Sequence, residues 1–398
     1  MKLHVKNFGP LTIGTNGFID ISNYTVFIGT QGSGKSTLAK LISVFAWLEK
    51  CLIRGDLSIK EVERKNRFRD KFCKFNRLSS FFTSATEICC IGSYYQFHYK
   101  EDSFKVCKLN EDNTQATLSK IMYVPAERNI ISISDKSGIT KYYPESLSVF
   151  WEAYEDFCQN MREDLVLPID NMKFSYDKLN HIAWIKDLDQ SYRTRLTDAA
   201  SGYQSLIPLY VVSKSLYDLV GKKNESDIDS DLYRKLKSEV MRIMNNKELS
   251  EDVKSLALKQ LSSRFSYSHV VNIVEEPELN LYPSSQCAEI EALVRMNNIN
   301  KDNKLILTTH SPYVLATLNN LLYAGKIGEL KETQVQRVLP KALWIQPNTL
   351  RAYELKDGMV VDIIDDELGL IKSERIDIIS SEINDKFDAI MDIEIEEV

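Results

Sequence analysis

The chain has 398 residues, with 50 Lys+Arg against 56 Asp+Glu and a net charge of −6. Hydrophobic residues make up 43% and charged residues 27%, ordinary globular values that exclude a mostly disordered chain, a collagen-like fibre or a uniformly basic nucleic-acid coat. A chain of this length is expected to form two or three structural units with ample apolar material for a core.

In chain order, residues 1–28 predict strands joined by a turn, ending in the apolar run Tyr24 to Ile28. Leu38 to Leu52 is helical in composition, and the following stretch, Lys60 to Arg77, predicts a second helix. That stretch holds 8 basic and 3 acidic residues, with Phe68, Phe72 and Phe75 spaced 4 and 3 apart on one face. Glu87 to Leu109 alternates and reads as antiparallel strands, and residues 121–129 as a short strand running into a loop. Residues 145–198 mix helical and strand-like pieces, and a helix starts near Ser201. A polar break at 221–231 and two helical segments to about Arg264 follow. Strand, turn and helix then recur through His269–Glu276, Pro283–Asn298, Lys304–His310 and Pro312–Gly325.

The strongest motif is Gly29-Thr30-Gln31-Gly32-Ser33-Gly34-Lys35-Ser36, followed by Thr37, which fits GxxxxGK[ST] between a predicted strand and a predicted helix. Glycine is scarce, 15 of 398, yet three fall within these eight residues. The glycines let successive backbone N–H groups curl around phosphate oxygens at a helix N-terminus. Lys35 brings a charge to the β/γ-phosphates and Ser36 a hydroxyl to Mg²⁺. Second, the apolar run Val270 to Val274 delivers Glu275 and Glu276 to a strand end, the form of a Walker B element. The first carboxylate would hold the metal and the second would orient and deprotonate water. Third, an apolar strand ends in Thr308, Thr309 and His310, where an imidazole is either structural or close to a γ-phosphate. Fourth, Ser201-Gly202 opens a helix, either as a plain N-cap or as a second anion-binding helix N-terminus.

Together and in this order, GTQGSGKST, SGYQS, IVEEPELNLYP and LTTHSP resemble the ABC-class ATPases of the SMC/RecF type. They are especially similar to the compact bacterial AAA-type ATPases of the OLD and Septu/retron defence groups. The resemblance implies an α/β fold of the ABC-ATPase P-loop kind, a mixed sheet with an antiparallel N-terminal lobe, a parallel Walker A/B core and an inserted helical subdomain. It implies ATP and Mg²⁺ as cofactors, with Gly29, Gln31, Gly32, Ser33, Gly34, Lys35, Ser36 and Thr37 around the phosphates and Ser36 and Glu275 on the metal. Glu276 takes the catalytic-base position and His310 the switch-histidine position. Ser201 and Gly202 would complete the other subunit's nucleotide site, so a homodimer or higher oligomer would sandwich ATP. The implied function is a nucleotide-gated switch, the sensor of an anti-phage defence system that controls a separate effector such as a nuclease. A RecF-like DNA-repair ATPase is the alternative. Glu127 and Arg128, in YVPAERN, resemble a motif of the compact ATPases and would lie near the site, unless they form a solvated loop ion pair. No glutamine is placed as a Q-loop; Gln96 lies in a strand-like stretch.

The expected organisation is an N-terminal ATPase lobe over 1–130 with inserted basic helices and a helical, signature-bearing lobe over 131–265. A Walker B and switch-histidine core over 266–340 and an acidic segment over 341–398 complete it. From Glu354 to Val398 there are 15 acidic and 4 basic residues, a net of −11, which leaves the rest of the chain at +5. DNA or another nucleic acid is therefore a candidate partner of Lys60–Arg77, unless that stretch is a solvated helix packed by its phenylalanines. The acidic end would dock a basic effector or only solubilise. Seven cysteines without a CxxC read as reduced thiols, and MKLHVKNFGP carries no basic-then-apolar signal, so a cytoplasmic chain without a membrane segment is expected.

Overall fold

The structure is a computed structural model that describes residues 1–109, 117–133, 143–189, 192–221, 238, 240–245, 254, 267–372 and 383–391. The polar break and most of the helical insertion expected up to residue 264 lie outside the described residues, as does most of the chain after Lys372.

The central sheet explains why the apolar runs end where they do. Its strands lie in the order Gly14–Thr15, Met359–Asp362, Leu350–Lys356, Tyr24–Gly29, Lys304–Thr309, Tyr267–Glu275 and Leu118–Val124. From Leu350–Lys356 to Leu118–Val124 every pairing is parallel. Register sets Gly29 beside Leu355, Ile28 beside Thr309, and Thr308 beside Glu275, so the C-terminal ends share one edge. A parallel sheet is buried on both faces, which requires near-continuous apolar strands. Alternate residues serve two cores: Val26, Leu305 and Leu307 face one, Phe27 and Ile306 the other.

The core containing Phe27 is closed by the helix Lys35–Arg54 and an antiparallel sheet. In that sheet Ile19–Asp20, Lys2–Phe8, Phe82–Ile91, Tyr95–Lys100 and Ser103–Lys108 follow one another. The core containing Val26 is closed by the helices Glu145–Asn160, Ser201–Gly221, Pro283–Asn297 and Pro312–Gln336. A third, antiparallel sheet runs Arg193–Arg195, Ile182–Asp187, Met172–Asp177, Leu165–Val166 and rests on this second core through Phe174 and Ile185. The α/β architecture, with an antiparallel N-terminal lobe and a parallel core, is thus the one the sequence predicts.

One expectation needs correcting. Lys60–Arg77 is not one helix: a turn of helix, Ile59–Val62, is followed by Asn66 at φ 62° and a π-helical turn, Phe68–Cys73. Phe68 is buried and stacks on Phe104 at 4.0 Å, which pins the stretch to the antiparallel sheet, while Phe72 meets Trp47 of the helix Lys35–Arg54. Within the segment expected over 341–398, Leu350–Lys356 pairs with Tyr24–Gly29 inside the central sheet. Among the described residues, no helix is long and apolar enough to cross a membrane.

Candidate active site

The common edge of the parallel strands gathers the chemistry. Tyr24–Gly29 runs into the loop Thr30–Gly34 and then into the helix Lys35–Arg54. Gly34 stands at φ 106°, and a Cβ on Gly29 would lie 2.4 Å from the Leu355 carbonyl oxygen, so neither position accepts a side chain. Gln31 and Gly32 are exposed, and Lys35 and Thr37 are buried. The Lys35 Nζ donates to the Gly29 and Thr30 carbonyls, 2.9 Å each, and bridges the loop from below. Burial pulls its ammonium below the ordinary lysine range, against the opposing fields of Glu276, Glu278 and Glu275.

Three carboxylates stand at the end of Tyr267–Glu275, which the strand Lys304–Thr309 separates from Tyr24–Gly29. Glu275 is 3% exposed; its Oε2 accepts from the Ala126 N–H at 3.2 Å and its Oε1 is buried without a hydrogen-bond partner. Glu276 sits at φ 45°, a strained conformation for a non-glycine residue, held by its N–H on the Thr308 carbonyl at 2.8 Å. That conformation leaves its Oε1 3.4 Å from the His310 Nε2. Glu278, which sequence reasoning passed over, accepts the Thr309 hydroxyl at 2.8 Å and the His310 N–H at 2.7 Å. Burial raises its carboxyl above the ordinary range, against the His310 N–H. It fixes the backbone that presents the histidine, and its signal was available as the third acid of Glu275-Glu276-Pro277-Glu278.

Arg128 ties this edge to the helix Ser201–Gly221. Its guanidinium is fully buried and donates to four carbonyls: Nη1 to Glu275 at 2.7 Å and Pro125 at 3.3 Å, Nη2 to Glu276 at 2.7 Å, and Nε to Ser205 at 2.9 Å. Burial lowers its pKa to about 10, with Glu289 first among the acids opposing the shift. Pro208 inside the helix has no N–H for the Gln204 carbonyl, and the Ser132 hydroxyl supplies that bond at 2.7 Å. Asn280 adds a bond from Nδ2 to the Ser205 Oγ at 2.9 Å.

The structure therefore brings together Gly29 to Thr37, Glu275, Glu276 and His310. Ser201 and Gly202 lie apart from them: Ser201 is exposed, and a Cβ on Gly202 would meet the Asn280 carbonyl oxygen at 3.1 Å. Among the described residues they have no hydrogen bond to the Gly29–Thr37 loop. Glu127 is exposed beside buried Arg128, and Gln96 lies in a strand with its amide on the Cys89 sulfur.

No family model and no curated protein matches the sequence. Several solved structures are similar. The SMC head domain from Thermotoga maritima is 11% identical, with 91% of this chain and 97% of that one covered and a TM-score of 0.36. An SMC head bound to the C-winged helix domain of ScpA is 13% identical over 91% and 96%, with a TM-score of 0.38. A dimeric post-hydrolysis ATP-binding cassette bound to ADP and Pi is 11% identical over 90% and 96%, with a TM-score of 0.28. The chemistry of this site is carried by its own residues.

Those residues fit a phosphate chain. Gly34 leaves the N-terminus of the Lys35 helix without a capping side chain, so its N–H groups face the loop. Buried oxygens without partners cluster in the same segments: Ser33 Oγ, Glu275 Oε1, Glu278 Oε2 and Thr308 Oγ1. Among the described residues no group of three His, Cys, Asp or Glu side chains could hold a metal ion alone. Mg²⁺ in nucleotide sites is ordinarily held by one or two protein oxygens together with substrate phosphates, which suits Ser36 and Glu275.

Proposed function

We propose that the chain binds ATP with Mg²⁺ in the Gly29–Thr37 loop and hydrolyses it. The observation that carries this reading is the convergence of that loop, Glu275, Glu276 and His310 at the ends of three adjacent parallel strands. Loop N–H groups and Lys35 take the phosphates, Lys35 leaving its carbonyl partners when a stronger anion arrives. Mg²⁺, held by Ser36 and Glu275, would supply charge neutralisation at the transferring phosphate. Glu276 orients a water and accepts its proton, and His310, paired with that carboxylate, positions it and contacts the terminal phosphate.

The same reading makes the enzyme a dimeric switch. Ser201 is exposed and Gly202 faces its own Asn280, which leaves this helix start free to meet nucleotide bound by a second copy. Two copies would close around ATP and separate after hydrolysis, licensing an effector such as a nuclease, as the motif resemblance to defence ATPases implies.

Phosphate release and nucleotide binding by Glu276→Gln and Lys35→Ala test it. Glu276→Gln is expected to bind ATP, lose turnover by about 100-fold or more, and accumulate as a dimer in sedimentation. Lys35→Ala should fail to bind. Turnover of Glu276→Gln at the wild-type rate would refute the assignment, and an ATP-bound monomer would refute the switch.

A further inference from the structure

The outer face of the four-stranded antiparallel sheet has no role in that chemistry. Strand alternation sends Phe174 and Ile185 inward, both fully buried, and turns their neighbours outward. Register places Trp184 opposite Ser175 on one side and Arg195 on the other, and Lys186 opposite Lys173 and Arg193. Val166 pairs with Lys173 at the edge and is 52% exposed. The Arg193 guanidinium stands 4.6 Å from the Trp184 ring centroid and that of Arg195 5.8 Å.

Charge on this face is mostly uncompensated. Asp164 reaches Lys186 at 3.6 Å, and Asp177, at the far strand end, accepts the N–H groups of Leu179 and Asn180. Asp187 accepts the Tyr192 N–H, and Asp189 lies exposed at the hairpin end. Among the described residues, Lys173, Arg193 and Arg195 have no carboxylate partner.

We infer that this face binds single-stranded nucleic acid, with Trp184 and its two arginines as the stacking platform and Lys173 and Lys186 on the phosphates. An acidic protein segment would use the cations but give the indole–guanidinium stack nothing to do. A base with its phosphate uses both. A duplex keeps its bases stacked on each other, so an unpaired strand is the better fit. The rigid backing of Phe174 and Ile185 holds the platform in place before binding. The inference is independent of the ATPase reading.

Fluorescence anisotropy of the full chain with labelled DNA and RNA oligonucleotides, single- and double-stranded, tests it. Single strands should bind, more weakly as salt rises, with duplexes several-fold weaker. Trp184→Ala should lose about tenfold in affinity. Arg193→Glu with Arg195→Glu should lose at least as much and lower the salt slope by about two. Arg193→Gln with Arg195→Gln should give a smaller loss in the same direction, with unfolding midpoints of all variants compared by circular dichroism. Lys35→Ala should bind as wild type, which separates this face from the nucleotide site. Failure of every oligonucleotide to bind at low salt would overturn the inference, as would well-folded face variants that bind like wild type. Loss of binding only when Arg64, Arg67 and Arg69 are reversed would move the site to the 60–77 stretch and overturn it too. So would poly-glutamate binding as tightly as oligonucleotide and indifferent to Trp184→Ala.

Discussion

Arg128 shows how one side chain can set the geometry of two loops. Four carbonyls from three chain segments converge on a single buried guanidinium, so its loss would remove a charged donor from all four at once. Lysine offers a compact ammonium that cannot reach all four, so Arg128→Lys should loosen Glu276 relative to the Ser201 helix. We expect kcat for ATP to fall about tenfold or more with little change in KM, measured by steady-state phosphate release. Arg128→Met should cost about 3–5 kcal/mol in urea unfolding, because it removes every donor at once. Equal kcat in Arg128→Lys and wild type would show that the arginine only stabilises. Glu289, fully buried with neither carboxyl oxygen hydrogen-bonded, is its electrostatic neighbour. Burial raises the Glu289 carboxyl well above its ordinary range, with Arg128 opposing. The folded state then holds this proton more tightly than the unfolded chain. Its contribution is full below the ordinary carboxylate range and is lost as pH rises toward the raised value. Glu289→Gln has no such loss. The melting temperature of the variant minus that of wild type should therefore grow from about pH 5 to about pH 8. A flat difference would show that the group ionises as it does in water.

At the scale of elements, what was legible in the sequence is what local chemistry dictates. The Gly29–Thr37 loop, its strand and its helix could be read because glycines, lysine and flanking apolar runs specify one another at short range. The strands ending at Glu275 and Thr309 could be read for the same reason, and so could their polar tips. Lys60–Arg77 was misread because the 4 and 3 spacing of its phenylalanines fits a helix. The partners of Phe68, namely Phe45 on the helix Lys35–Arg54 and Phe82, Tyr99 and Phe104 on strands of the antiparallel sheet, come from elsewhere in the chain, and Asn66 interrupts the turn. Arg128 looked like either a solvated ion pair or a site residue. Only the tertiary meeting of residues 125–128, 205 and 275–276 excludes the first. The Trp184 face was invisible for a related reason. Its cations come from three strands and form a patch only after antiparallel register has aligned them.

For the whole molecule, the C-terminal segment decides how much chain the proposed ATPase core needs. Leu350–Lys356 borders the P-loop strand, Tyr353 stacks on Phe27 at 5.8 Å, and the Leu355 carbonyl sits against Gly29. Beyond that strand the core still claims Ile363 and Ile371, the latter held by its N–H on the Asn319 side chain at 3.0 Å. Among the described residues, the Lys372 N–H on the Ile363 carbonyl at 2.9 Å is the last of these contacts, and residues 383–391 are helical and exposed throughout. The residues after Lys372 also hold nine acidic and two basic side chains, most of the negative charge of the segment. A chain ending at Lys372 should therefore fold, keep its melting temperature within a few degrees and hydrolyse ATP within about twofold of the full chain, a change no larger than surface substitutions produce. A chain ending at Pro347 loses the strand that walls the P-loop and should be recovered unfolded. If the shorter cut is as inactive as the longer one, the acidic end belongs to the ATPase core. If it keeps turnover but no longer co-purifies with an effector from its native host, the acidic end is the docking element, and charge rather than fold selects the partner.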